Sequence, residues 1–419
     1  MYSPFFDTKG KPIEINRVKY EHIEQLKEID EGHHIEYKRL LEDGGKAQLA
    51  KEIASFANCE GGWLIVGIED KTREVCPVEK IDYSQKIGKI VCRVTPIPEF
   101  ETKFIALPDD SGKGILLIYV YEGRNAPYIC EGSIYIRSGS SKEPIKAAER
   151  GNVEYLQERS NGYRKQLEDF FHRDIYLGYA PILKRSNIPS VNIFVKNISQ
   201  KKKAAFSTFD KRNKIVEFVK QEYSNVFENV QFSMDSIVFR HKSTMPSAGS
   251  YTFVFELFYD WSFKLCMPIG ISDYDEIDDI RQEYIKMGMD ESAVEKFHIV
   301  NGGDILNCVT VFFCIIQNLA KKYKFKPEDY ALSCELENIA ECILAFTGNE
   351  YISYIKKHGI TYANKEVNRS KIIFLKDHAK MNFIDVGYPV MTEFVAAAFG
   401  YDCCKVSEIL ESDNNKYKN

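Results

Sequence analysis

Three carboxylates and a lysine near the start of the chain are the groups best suited to chemistry. The stretch from Glu31 to Asp70 reads EGHHIEYKRLL, then a short amphipathic segment, then SFANCEGGWLIVGIED. Glu31, Glu36 and Asp70 fall where the chain is expected to return to one spot, with Lys38 beside them. Clustered carboxylates repel one another unless a proton or a metal cation compensates. Hard oxygen ligands of this kind suit Mg²⁺ or Mn²⁺, which would activate water and neutralise charge building on a phosphate. Lys38 lies two residues beyond Glu36, on the same strand face, where it would hold that phosphate.

The elements that must position these groups set a condition. Glu31 and Glu36 are five residues apart, which puts them on opposite faces of a strand or about 140° apart on a helix. They converge only if Glu31 sits on the turn entering a strand and Glu36 lies within it. Asp70 follows the next strand, at a strand end where sites are commonly built. The same spacing also suits solvated charges at element ends, with Asp70 a plain turn residue before Lys71-Thr72. Spacing alone leaves both readings open.

Around the carboxylates the pattern is regular. Residues 20–30 read as a short helix ending before Gly32, and His34 to Leu40 alternates as a strand. After Gly44-Gly45, Lys46 to Asn58 carries Leu49, Ile53, Phe56 and Ala57 on one helical stripe. Gly61-Gly62 stops that helix, and Trp63 to Ile68 is a continuous apolar run, as a central strand is. Strands at Lys103–Leu107, Gly114–Tyr121 and Ser133–Arg137 complete a compact α+β unit.

The charged, helical stretch from Ala147 to Gln166 is the predicted boundary, giving domains 1–160 and 161–419. Beyond it, strands are predicted at 191–195, 230–240 and 251–267, and helices at 276–287, 304–322, Pro327–Phe346 and 388–399. The second domain is therefore α+β as well, becoming mostly helical towards the C-terminus, and it shows no motif to which chemistry attaches.

Bulk properties narrow the function. A chain of 419 residues is too long for one typical core. A formal net charge of −5 gives no global attraction for nucleic acid, so any such binding must use local basic patches. Eleven cysteines without Cys-x-x-Cys spacing indicate no zinc site and no redox dithiol, and free thiols fit a cytoplasmic protein. Met1 to Lys19 lacks the apolar run of a signal peptide, and the apolar stretch Val309–Ile316 is too short to span a bilayer, so no membrane is expected.

An ordered set of motifs then adds a resemblance. Glu31-x4-Glu36-x-Lys38, Ala54-Ser-Phe-Ala-Asn58-x-Glu-Gly61-Gly62 and Val66-Gly-Ile-x-Asp70 are followed by Arg124-Asn-Ala-Pro127-Tyr128 and Tyr135-Ile-Arg137-Ser-Gly139-Ser140-Ser141. Together, over roughly residues 28–146, they resemble the Schlafen family core domain, found in bacterial proteins as the Alba-like nucleic-acid-binding domain. The resemblance implies a Schlafen-like mixed sheet with helices. It also implies a divalent-metal-dependent endoribonuclease acting on structured RNA such as transfer RNA, with Glu31, Glu36 and Asp70 as catalytic and metal-binding residues and Lys38 in support. A bacterial antiviral defence effector is the corresponding role, with the second domain as sensor or regulator. The alternative is a non-catalytic DNA- or RNA-binding regulator using the same domain. Vertebrate members carry two copies of the core and a zinc finger. One copy here implies a homodimer, or a groove walled by the second domain.

Other segments carry weaker signals. Phe56 to Gly62 lacks the Gly-x4-Gly-Lys-Ser/Thr pattern, so it reads as a helix stop and not a nucleotide-binding loop. Arg137, Ser138, Ser140, Ser141 and Lys142 suit a phosphate contact or a plain turn. His33 and His34 flank the carboxylates as proton donors or as surface residues. Lys201, Lys202 and Lys203, near Lys211, Arg212 and Lys214, form the strongest basic run, and Lys321, Lys322, Lys324 and Lys326 another; each extends a nucleic-acid footprint or is solvated surface.

Overall fold

In the computed structural model the chain divides into two units, Met1–Asp169 and Phe170–Asn419. The structure describes residues 2–42, 44–139, 141–144, 150–172, 189–200, 206, 208–224, 226–241, 254–269, 274–346, 349–375 and 381–401. The α+β class expected from the pattern holds in both units.

The first unit is built on strands β1 (Ile35–Lys38), β2 (Gly62–Val66), β3 (Val78–Glu79), β5 (Phe100–Ala106) and β6 (Lys113–Val120). Helix α1 (Gly45–Asn58) connects β1 to β2, which run parallel. Strand β6 pairs antiparallel with β2, β3 and β5. Helix α2 (Ser84–Val91) precedes a second, smaller sheet of β4 (Val94–Thr95), β7 (Ile129–Cys130), β8 (Ser133–Ser138) and β9 (Ser141–Pro144), and helix α3 (Arg150–Phe171) follows.

Strict alternation gives the main sheet two buried faces. Leu64 and Val66 of β2, with Leu116, Ile118 and Val120 of β6, meet α1 and α2 in one core. Trp63, Ile65, Leu117 and Tyr119 point the other way, into a core closed by Phe5, Ile13, Val18, Ile23 and Leu26 of the N-terminal segment. Trp63 is fully buried there, and its indole N–H donates to the Tyr2 carbonyl at 2.9 Å. That burial on both sides is why β2 reads as an unbroken apolar run.

The second unit holds an eight-stranded sheet. Strand β10 (Ser190–Asn197) lies between β14 (Phe263–Pro268) and β16 (Tyr330–Glu337), and β11 (Phe227–Phe232), β12 (Ser236–His241) and β13 (Val254–Phe258) continue it beyond β14. Strands β18 (Val367–Arg369) and β19 (Ile373–Phe374) pair with β16. A parallel pair, β15 (His298–Asn301) and β17 (Cys342–Ala345), stands apart. Helices α7 (Gly302–Tyr323) and α9 (Phe383–Ala398) supply much of the core, which also encloses Trp261. Helix α7 is long and apolar enough to cross a membrane by composition, yet Ile305, Val309, Phe312, Phe313 and Ile316 pack into this core.

Pro327 to Phe346 departs from its predicted helix. It forms a 3₁₀ turn at Pro327–Asp329 and then strands β16 and β17, with Asn338 and Glu341 in the left-handed region between them. Leu332, Leu336, Ile339 and Ile343 mimic a helical stripe, but Tyr330, Leu332, Cys334 and Leu336 also alternate, and pairing with β10 selects the strand.

Candidate functional site

Strand β1 lies at the edge of the main sheet, and its alternation decides the site. Ile35 and Tyr37 point into the core under the N-terminal segment. Glu36 and Lys38 point to the opposite face, where α1 covers them. Helix α1 answers with Glu52, which is fully buried. Lys38 Nζ donates to Glu36 Oε1 at 2.7 Å and reaches Glu52 Oε1 at 3.2 Å, so one ammonium bridges two carboxylates. Burial alone would lower the Lys38 pKa, but Glu52 and Glu36 outweigh it and hold it above the ordinary lysine value.

A second cation completes the group. Arg137, on β8, is buried, and its guanidinium donates to Glu36 Oε2 at 3.2 Å and to the Gly32 carbonyl at 2.7 Å. Its other flank stacks over Phe56, 4.4 Å from the ring centroid. Glu36, Glu52, Lys38 and Arg137 thus form one connected cluster of oppositely charged side chains, largely buried. The Arg137 side chain faces inward, where Gly32, Ile35 and Glu36 supply acceptors. Lys38, assigned to a phosphate, is likewise held by Glu36 and Glu52.

Glu31 lies on the turn before β1, the placement its spacing required. Gly32 bridges to Ile35, folding the turn back along the free edge of the strand, and Glu31 Oε1 accepts the Tyr37 backbone N–H at 2.8 Å. Partial burial raises the Glu31 pKa; the Tyr37 N–H opposes this, and the charges of Glu36 and Asp70 add to the rise.

Asp70 sits in the turn after β2, half exposed. Arg73 donates to it at 3.1 Å, and also to Asp30 at 3.1 Å and to the Ile29 carbonyl at 3.1 Å, while lying over the Tyr37 ring. Arg73 therefore ties the Asp70 turn to the residues just before Glu31.

The three predicted carboxylates share one region but do not surround one point. Among the described residues, no three His, Cys, Asp or Glu side chains are placed to hold one metal ion. The reason is local: both Glu36 oxygens face cations, and Asp70 is turned to Arg73. As placed, the described carboxylates make no three-ligand set for Mg²⁺ or Mn²⁺.

The remaining candidates are distributed as follows. His33 is exposed and its Nε2 accepts the Gly139 N–H at 3.3 Å, which joins the 31–34 turn to the β8–β9 turn. His34 Nδ1 lies 3.2 Å from the Gly61 carbonyl, and the ring stacks on Tyr2. Ser138 is exposed, and the backbone of Ser141 and Lys142 pairs with Ser138 and Arg137. Ser140, Lys201, Lys202 and Lys203 lie outside the described residues. On helix α4 (Phe209–Glu222), Arg212 packs over Tyr259, and Lys322 of α7 packs over Phe218.

Two positioning residues escaped the sequence reading. Glu52 falls three residues after Leu49 and four before Phe56, inside the apolar stripe, and a carboxylate there is the signal that would have found it. Arg159 of α3 donates to the carbonyls of Ala57 at 3.0 Å, Asn58 at 3.2 Å and Cys59 at 3.1 Å, closing the C-terminus of α1. Nothing in the local sequence announces that role. Asn58 was legible as part of a motif, and its side chain joins α1 to Tyr128 and Tyr135 through three hydrogen bonds of 2.7–2.9 Å.

Comparison with known proteins agrees with the motifs. Residues 31–146 match the family model described as Schlafen, AlbA_2, which bears out the resemblance read over roughly 28–146. The match ends before α3 and leaves the second unit outside it. Among solved structures, the DIP2311 protein of Corynebacterium diphtheriae is 26% identical, over 30% of this chain and 27% of that one, with a TM-score of 0.24. The chain thus spans about a quarter of that protein's length. No curated protein matches the chain.

Proposed function

We propose that the Met1–Asp169 unit binds nucleic acid, RNA in the first instance, over the surface formed by the 31–34 turn, Ser138-Gly139 and the Asp70 turn. The observation that carries this reading is the junction itself: Arg137 holds the Gly32 carbonyl and Gly139 donates to His33, so separate motifs form one continuous surface. Exposed Ser138, Gly139 and His33, with Arg39 and Lys71 beside the strand ends, offer contacts suited to phosphate oxygens. The Schlafen, AlbA_2 match over the same residues supports it. The test is binding of the full chain to a transfer RNA, a single-stranded RNA and duplex DNA across a salt series. Affinity that falls steeply with salt supports the reading, and no binding to any member at low salt overturns it. A single copy offers one wall of a groove, so the proposal extends to a homodimer, read by sedimentation velocity.

A second reading, endoribonuclease activity in a defence effector, is favoured by one observation. Glu31 lies within electrostatic reach of both Glu36 and Asp70. Hydrolysis through a divalent ion would require Glu36 to leave Lys38 and Arg137. The check is cleavage of transfer RNA with Mn²⁺, with Mg²⁺ and with chelator. Cleavage unchanged by Glu36→Ala and by Asp70→Ala would remove the assignment.

A further inference from the structure

We infer that the second unit carries a nucleic-acid contact of its own, in which the basic runs of α4 and of the end of α7 meet and hold a phosphate backbone without regard to sequence. The two runs are far apart in the chain, and the fold brings their helices together. Asn318 of α7 donates to the Tyr223 hydroxyl of the α4 C-cap at 2.9 Å, and Lys322 lies 3.7 Å from the centroid of the Phe218 ring. The helices therefore pass each other in opposite directions. Lys211, Lys214 and Phe218 follow at intervals of three and four residues, so they share one side of α4, the side on which Lys322 sits. Arg212 donates to the Phe206 carbonyl at 3.1 Å, Phe206 packs on Trp261 with centroids 4.6 Å apart, and Trp261 packs on Tyr323 at 4.7 Å. One aromatic group thus ties the opening of α4 to the end of α7.

Lys211, Lys214, Lys321, Lys322, Lys324 and Lys326 are all exposed. Among the described residues Lys214, Lys321 and Lys324 enter no ion pair, while Lys326 reaches Glu328 at 3.4 Å. Helix electrostatics accounts for only part of this patch. Lys321 and Lys322 stand in the last turn of α7, where cations suit the negative end of the helix. Lys211, Arg212 and Lys214 stand in the opening turns of α4, where cations oppose the helix dipole. Bringing the second run against the first adds like-charge repulsion that a bound polyanion would relieve. Partly buried Phe218 and Tyr323 lie among the cations, an interleaving of rings and positive charge that suits a nucleic-acid strand. A chain of net charge −5 needs such a local patch if it is to hold phosphates. The choice of nucleic acid as the polyanion rests on the reading proposed for the first unit.

The experiment is fluorescence anisotropy of a labelled single-stranded RNA with the full chain across a salt series, comparing wild type, Lys214→Gln/Lys321→Gln and Arg39→Ala/Lys71→Ala. Removing two phosphate contacts should weaken binding by about tenfold at low salt and reduce the salt slope by about 1.4. That result with the glutamine pair supports the inference, even where Arg39→Ala/Lys71→Ala binds as wild type does, an outcome that would count against the first-unit surface alone. A glutamine pair that binds like wild type while Arg39→Ala/Lys71→Ala is weakened overturns the inference and leaves the first-unit surface standing. A chain that binds no RNA at low salt overturns both. Vesicles of phosphatidylserine and phosphatidylcholine provide the other arm. Vesicle binding lost in the glutamine pair, with RNA binding unchanged, would assign the patch to a lipid surface and overturn the inference. Should the pair fail to fold, Lys214→Gln and Lys321→Gln singly replace it, each expected to lower the slope by about 0.7, and unchanged slopes in both count against the inference.

Discussion

Glu31 and Tyr37 are joined side chain to backbone, Oε1 accepting the Tyr37 N–H at 2.8 Å across a turn that folds back on its own strand. Strand β1 has β2 on one side only, so its outward N–H groups need partners. Glu31 meets that need from within the chain, and this explains how a residue five positions from Glu36 enters the same region.

The Glu31 carboxyl has a raised pKa in the folded state, through burial first and then through Glu36 and Asp70. The folded state therefore holds the proton more tightly than the unfolded chain. The stability linked to it is present below the unfolded carboxylate value of about 4.3 and is lost as pH rises through the folded value. Glu31→Gln keeps an acceptor for Tyr37 and removes the charge. Its thermal midpoint should exceed that of wild type at pH 7, the gap closing towards pH 4 (calorimetry over that range is the check). A lower midpoint at pH 7 would mean the charged hydrogen bond outweighs burial.

The buried cluster should behave as a unit. Removing one partner of a buried pair costs about 3–5 kcal/mol, so Lys38→Met, Glu36→Gln and Arg137→Met should each destabilise the first unit strongly. Lys38→Met removes the ammonium that contacts both Glu36 and Glu52, and adding Glu52→Gln removes one of the two charges it leaves behind. The double variant should therefore be less destabilised than the sum of its singles, by about 0.5–3 kcal/mol. Urea unfolding measures the cycle, and strict additivity would show that Lys38 and Glu52 do not interact.

Arg39 and Lys71 are exposed at the strand ends, with Arg39 also 3.0 Å from Glu69. If they contact phosphates, Arg39→Ala and Lys71→Ala should each weaken RNA binding without regard to sequence and reduce the salt slope by about 1. Unaltered slopes in both would move the interface elsewhere on the unit.

Gly62 is tightly confined. A Cβ there would stand 2.1 Å from Phe56 Cδ1 and 3.0 Å from the His34 carbonyl, and Phe56 is the ring on which Arg137 stacks. Gly62→Ala should destabilise the first unit by about 1–3 kcal/mol. Circular dichroism during urea unfolding provides the measurement, and a neutral result would mean that Phe56 can move without loss.

Much of the frame was legible because it rests on local pattern. Strand β1, helix α1 and strand β2 follow from alternation, an apolar stripe and a glycine stop, and the turn at Glu31 follows from a five-residue spacing. What stayed hidden depends on partners distant in sequence. Arg137 sits among glycine and serine, which read as surface, and its burial is decided by Phe56, Gly32 and Glu36. Glu52 looks like one polar residue on a helix until a lysine from another element is placed against it. In Pro327 to Phe346 two periodicities coexist, and only the neighbouring strand selects one.

The chain has two tryptophans, and each unit buries one: Trp63 beneath the N-terminal segment and Trp261 in the core of the second unit. The protein thus carries its own pair of optical reporters. In Trp261→Phe the remaining fluorescence follows the unit with the carboxylate cluster, and in Trp63→Phe it follows the other. Two superimposable unfolding curves would mean that the halves melt together, and two separate ones would assign a stability to each.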